Sequence, residues 1–168
     1  MSTAAGTDST GQGHDPPAGS YWSALLADEE ERVARYGLGA GILLVAFGRE
    51  LLHHLDDADR LLAEARILGL IDRHLGWTDR TAVVAPGRLG VVVVPSTAAD
   101  LARRAALMHH GLRERGLDVE VAYAYRRDEG GLRAAAARAD AALDTVLARR
   151  WASEWPVPVR TDEERRRY

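Results

Sequence analysis

Apolar residues recur at helical spacing from the first tryptophan onward. Trp22, Leu25, Leu26, Val33 and Tyr36 mark one face of a segment that also carries the acidic run Asp28–Glu31. The pattern predicts an amphipathic helix of about four turns from Ser20, closed by Gly37 and Gly39. Ile42–Phe47 is then a continuous apolar run between glycines, the signature of a strand buried on both faces. Arg49–Leu55 reads as a short helix. Asp56–Asp59 supplies N-cap carboxylates for a second amphipathic helix with Leu61, Ala65, Leu68, Ile71 and Leu75 as its stripe, ended by Gly76. Thr81–Ala85 and Leu89–Val94 flank Pro86-Gly87-Arg88, which is hairpin punctuation. Pro95 stops the second of these strands. Ser96 or Thr97 caps the next helix, with Asp100 at capping-box distance from Thr97 and Leu101, Ala105, Met108 and Leu112 facing inward. After Gly116, Val119, Val121, Tyr123 and Tyr125 alternate with Glu120, Ala122 and Ala124 as in a strand. Arg126–Gly131 is a charged loop, and Leu132, Ala136, Ala139, Leu143 and Val146 form the last amphipathic helix.

The two ends differ in kind from this body. Residues 1–19 are small and polar with a Pro16-Pro17 pair, which reads as a disordered arm. Residues 20–150 form one domain. Within 151–168, Trp151 to Val159 holds two tryptophans and two prolines and reads as an extended segment lying on the domain, followed by a charged tail, Thr161–Tyr168. Helices and strands alternate around a central hairpin. The expected class is α/β (α+β), with a mixed central sheet of about five strands flanked by helices.

Composition narrows the chemistry. The 168 residues carry a net charge of −3, so charge gives no case for nucleic acid or an anionic membrane as partner. No apolar run is long enough to span a bilayer, and no secretory leader opens the chain, so the cytoplasm is the expected location. There is no Cys, hence no disulfide, thiolate metal site or Cys nucleophile. All 22 basic residues are Arg, which fits a GC-rich bacterial genome and removes any Schiff base, P-loop lysine or lysine general base. His53-His54 and His109-His110 are adjacent pairs that point apart on a helix and lack zinc spacing. Asp56, Asp57 and Asp59 suit a helix N-terminus. Gly37-Leu38-Gly39-Ala40-Gly41 precedes a strand rather than linking a strand to a helix, which argues against a phosphate cradle. No metal or cofactor is expected.

Four stretches together resemble a GGDEF domain, the catalytic module of diguanylate cyclases, which condense two GTP into cyclic di-GMP. Ala34-Arg35-Tyr36-Gly37 leads into the first strand as the family's "RYG" does. Val83–Pro95 resembles the signature hairpin with its terminal proline. Leu101–Leu117 into Val119–Tyr125 resembles the next helix and strand. Arg138-Ala139-Asp140-Ala141-Ala142-Leu143 resembles the closing "RADxAL" helix. The resemblance spans about Val33 to Arg150 and implies a nucleotidyl-cyclase-like fold.

The family's site residues carry over poorly. Counted back from Pro95, the signature falls on Pro86, Gly87, Arg88, Leu89 and Gly90. Its two acidic positions are Arg88 and Leu89. The metal carboxylate at the end of the first strand falls on Val45 or Ala46. The phosphate-binding lysine falls on Leu147, and the aromatic after "AL" is Asp144. The inhibitory "RxxD" that binds product is nearest to Gly76-Trp77-Thr78-Asp79, with Asp79 one residue out of register. Without the carboxylates there is nothing to hold Mg²⁺ against a triphosphate. The resemblance therefore implies no enzyme but a regulatory or scaffolding module acting through a protein partner or a homodimer. Its expected contact surfaces are the opening helix (Trp22, Leu25, Leu26, Val33), the hairpin tip (Pro86, Gly87, Arg88) and Trp151 with Trp155. The alternative is a non-catalytic receptor for GTP or cyclic di-GMP, with Arg88, Asp79 and Arg80 as ligand contacts.

Overall fold

The computed structural model describes residues 18–48 and 55–154. Helix α1 (Ala18–Tyr36) leads into β1 (Gly41–Phe47). Helix α2 (Asp57–Ile71) and a 3₁₀ turn (Asp72–His74) precede the hairpin β2 (Arg80–Ala85) and β3 (Arg88–Val93). Helix α3 (Ala98–Arg113), β4 (Val119–Tyr125) and α4 (Gly131–Glu154) complete the described chain. The short helix expected over Arg49–Leu55 lies, but for Leu55, outside the described residues.

The sheet has four strands in the order β2-β3-β1-β4, where about five were expected. Every neighbouring pair is antiparallel, which corrects the expected mixed sheet. The reason is topological. Each helical crossover, β1 to β2 and β3 to β4, does join strands running the same way, but another strand lies between them. This is the split βαβ arrangement. β1 is fully buried because both its faces are covered. Ile42, Leu44 and Ala46 join one core layer with α1 and α4, while Leu43, Val45 and Phe47 join the other with α2 and α3.

Local chemistry sets the element ends. The Gly37 backbone has φ +60° after α1. The Asp56 carboxylate accepts from the Asp59 N–H at 2.8 Å and starts α2. Thr97, rather than Ser96, caps α3, its hydroxyl accepting from the Asp100 N–H at 3.1 Å. The α3 stripe of Leu101, Ala105, Met108 and Leu112 is buried as expected. That of α2 is not. Glu64, Ile67 and Ile71 face inward while Leu61 and Ala65 face solvent. The helix is rotated to carry Glu64 to the hairpin, as described below. The segment from Trp151 is not extended at its start, because α4 continues to Glu154. Ala148, Arg149 and Arg150 favour helix, and the first proline that could stop it is Pro156.

Candidate functional site

The β2–β3 turn and the end of β1 meet at one end of the sheet. Gly87 sits in the turn with φ +73°. Its carbonyl accepts from the Phe47 N–H at 3.1 Å, and its own N–H donates to Glu64 Oε1 at 2.8 Å. Glu64 is buried, so this bond ties the turn to α2 away from water. In the antiparallel register Arg88 lies opposite Ala46 and Leu89 opposite Val45. The structure therefore brings together the positions that the resemblance marks for metal carboxylates. They form a cation beside a methyl group and a leucine beside a valine. Val45, Ala46 and Leu89 are buried in the core. These residues do not fit a divalent cation, and among the described residues no group of three or more His, Asp or Glu could hold one.

Arg88 is bound from the other side. Its guanidinium pairs with Asp140 and Asp144, one helical turn apart on α4. Burial pulls its pKa down, but the Asp144 and Asp140 carboxylates outweigh that and hold it above its ordinary value. Asp144 stands where the resemblance places an aromatic and Arg88 where it places an acid, and the two side chains pair with each other. Gly90 is in close packing: a Cβ there would lie 2.7 Å from the Trp22 ring and from Val84 Cγ2. Glycine at this position makes room for Trp22, not for a ligand.

The other expected contacts lie elsewhere. Arg80 is opposite Val92, four residues along β3 from Arg88 and hence about 13 Å away. Asp79 is buried. Its carboxylate accepts from the Gly76 N–H at 2.7 Å, the Val94 N–H at 3.0 Å and the Arg104 guanidinium at 3.0 Å. A bulge between Val83 and Ala85 puts one extra residue into the strand between Asp79 and the turn. Arg80 bonds the Trp77 and Asp79 carbonyls. Arg88, Asp79 and Arg80 do not converge on one ligand.

The expected contact face of α1 is core. Trp22, Leu25, Leu26 and Val33 pack against β2, β3 and α4 and are buried. They recur at helical spacing because the sheet covers them, which one sequence does not distinguish from an exposed stripe. Trp151 is exposed on α4, and Trp155 lies outside the described residues. Sequence reasoning missed Glu64 and Glu30. Glu30 caps the start of α4 from α1: its carboxylate takes the Arg126 guanidinium at 2.6 Å and the Leu132 N–H at 2.7 Å. The Arg126 bond, aided by that N–H, holds its pKa below the ordinary value despite partial burial. At the opposite end of the sheet from the turn, an open cavity of about 700 Å³ is lined by Gly37–Ala40 and Tyr125–Asp128. His109 Nε2 lies 3.5 Å from Glu120 without hydrogen-bonding it, and His110 Nε2 lies 3.0 Å from Glu114, so the two imidazoles face separate carboxylates.

Compared with known proteins, the sequence matches no family model and no curated protein. Its structure is similar to the GGDEF domain of YfiN (TpbB) from Pseudomonas aeruginosa, with TM-score 0.65 and 17% identity over 77% of this chain and 89% of that one. It is also similar to the diguanylate cyclase SiaD of Pseudomonas aeruginosa, solved in complex with its activator SiaC (TM-score 0.63, 16% identity, 77% of this chain and 55% of that one). A third likeness is the GGDEF domain of DgcB from Caulobacter crescentus, solved with c-di-GMP (TM-score 0.61, 14% identity, 84% of this chain and 92% of that one). The chain has the fold of a GGDEF domain. Among the described residues, no helix is long and apolar enough to cross a membrane.

Proposed function

We propose that this chain is a non-catalytic GGDEF-like module that acts through protein contacts. One observation carries the reading. Where two carboxylates would hold the metal of a diguanylate cyclase, Arg88 and Leu89 stand opposite Ala46 and Val45. Phosphoryl chemistry on a triphosphate needs charge neutralised by cations that acids anchor. A buried leucine and an arginine already paired with Asp140 and Asp144 supply no such anchor. That the SiaD cyclase was solved with an activator protein supports protein contact as a mode of action on this fold. The alternative of a nucleotide receptor needs a free Arg88, and the Asp140–Asp144 pairing opposes it. The expected outcome of incubating the protein with GTP and Mg²⁺, with products separated by chromatography, is unchanged GTP. Accumulation of cyclic di-GMP above a protein-free control, lost on heat denaturation, would overturn the reading.

A further inference from the structure

The rotation of α2 that carries Glu64 inward leaves Leu62 61% exposed. Leu62 stands one turn before Arg66, and Arg66 one turn before Leu70, so the three share one face of the helix. Between α2 and the α3–β4 connection lies a second cavity, of about 350 Å³, lined by Ala63, Arg66, Ile67, Leu70, Arg115 and Leu117. Its wall is continuous with the core. Ile67 is buried, and Leu70 and Leu117 pack against the layer that joins β1 to α2 and α3.

The lining holds no acid. Four of its six side chains are aliphatic, and the other two are exposed arginines from different elements. Among the described residues neither guanidinium has a carboxylate partner. On α2 the residues three and four places from Arg66 are Leu62, Ala63, Gly69 and Leu70, none of them charged. Glu64 points away, to the Gly87 N–H. Arg115 donates from Nη1 to the Gly111 carbonyl at 2.6 Å, which holds the side chain in place and leaves its other N–H groups for a ligand. The acids that flank it in sequence are engaged elsewhere. Glu114 lies 3.0 Å from His110, and Asp118 lies 2.5 Å from Arg150.

We propose that this cavity binds a small amphiphilic anion, with an aliphatic chain against Ile67, Leu70 and Leu117 and a carboxylate head held by Arg66 and Arg115. The planar guanidinium fork pairs a carboxylate through two parallel N–H···O bonds, and the chain leaves water for an apolar wall. Both halves of the ligand are needed. A wholly polar anion leaves the aliphatic wall without a partner, and a neutral apolar molecule leaves the two cations without one. At about 30 Å³ for each water-sized group, the volume holds roughly ten heavy atoms, the size of octanoate. Leu62 carries the same wall one turn further along α2, for a longer chain. The site lies apart from the Arg88–Asp140–Asp144 trio and needs no nucleotide.

The probe is sodium octanoate, titrated into the isotope-labelled full chain up to about 10 mM and followed by the amide NMR shifts. The expected result is saturable shifts centred on Ala63, Ile67, Leu70 and Leu117, with a Kd of about 1 mM or tighter. Octanol, with the same chain and no charge, and acetate, with the same head and no chain, each bind at least about 10-fold more weakly. Arg66→Gln with Arg115→Gln weakens octanoate at least about 10-fold and leaves octanol unchanged, a split that loss of structure does not produce. Both positions are exposed, and circular dichroism checks the fold. If the double variant does not fold, the three probes on the wild type decide. Absence of saturable shifts overturns the proposal. So do equal affinities for octanoate and octanol, an unchanged octanoate affinity in a folded double variant, or shifts centred on the β2–β3 turn. Shifts produced by phosphatidylglycerol vesicles and not by free octanoate would overturn it in favour of a lipid surface.

Discussion

Arg88 reaches across the sheet end to Asp140 and Asp144, and each member of that trio is partly exposed to water. Solvent screening limits what such pairs contribute. Arg88→Ala is therefore expected to cost only about 1 kcal/mol in urea denaturation, and on the proposed non-catalytic reading it produces no cyclic di-GMP, because Leu89 and Val45 remain apolar. Leu89 is the opposite case. Leu89→Glu, which sets an acid where the resemblance expects one, places an unpaired carboxylate in the core. The expected loss is about 3–5 kcal/mol, seen as a collapse of the thermal transition. Recovery of a metal-binding, folded protein would contradict that. Gly90→Ala forces a methyl against Trp22 and Val84 and is expected to cost about 1–3 kcal/mol by the same measurement.

Between elements, Glu30 joins α1 to the β4–α4 connection through Arg126 and the Leu132 N–H. Its pKa is lowered from the ordinary 4.5, so its contribution is fully present above that value and is lost as pH falls through the lowered one. Glu30→Gln is expected to cost about 1 kcal/mol at neutral pH, where the partly exposed pair is screened. The gap from wild type narrows in acid, as chemical denaturation at a series of pH values checks. Much at this scale was legible in the sequence. The hairpin at Pro86-Gly87, the Thr97 cap and the α3 stripe followed from local pattern, because turn and cap chemistry is set by adjacent residues. The rotation of α2 was not legible. It depends on Glu64 meeting a backbone N–H that lies 23 residues away. The helical course of Trp151–Glu154 was obscured by prolines that act only further on.

For the whole molecule, the sequence pattern placed the strands and the β2–β3 hairpin but not the pairing of β1. Alternating helices and strands suggest parallel neighbours, and only the assembled sheet shows β3 between β1 and β2, and β1 between β3 and β4. The candidate site was legible only as positions counted back from Pro95 and from the end of the first strand, which the antiparallel register brings together. What filled the site was not, because Arg88, Asp140, Asp144 and Glu64 come from three separate elements. This end of the sheet is occupied by the protein's own side chains. Calorimetric titration of the full chain with cyclic di-GMP, and then with GTP and Mg²⁺, tests it most directly. No binding heat is expected for either nucleotide. Saturable binding at micromolar or tighter concentrations that Arg88→Ala abolishes would contradict it and make this chain a nucleotide receptor.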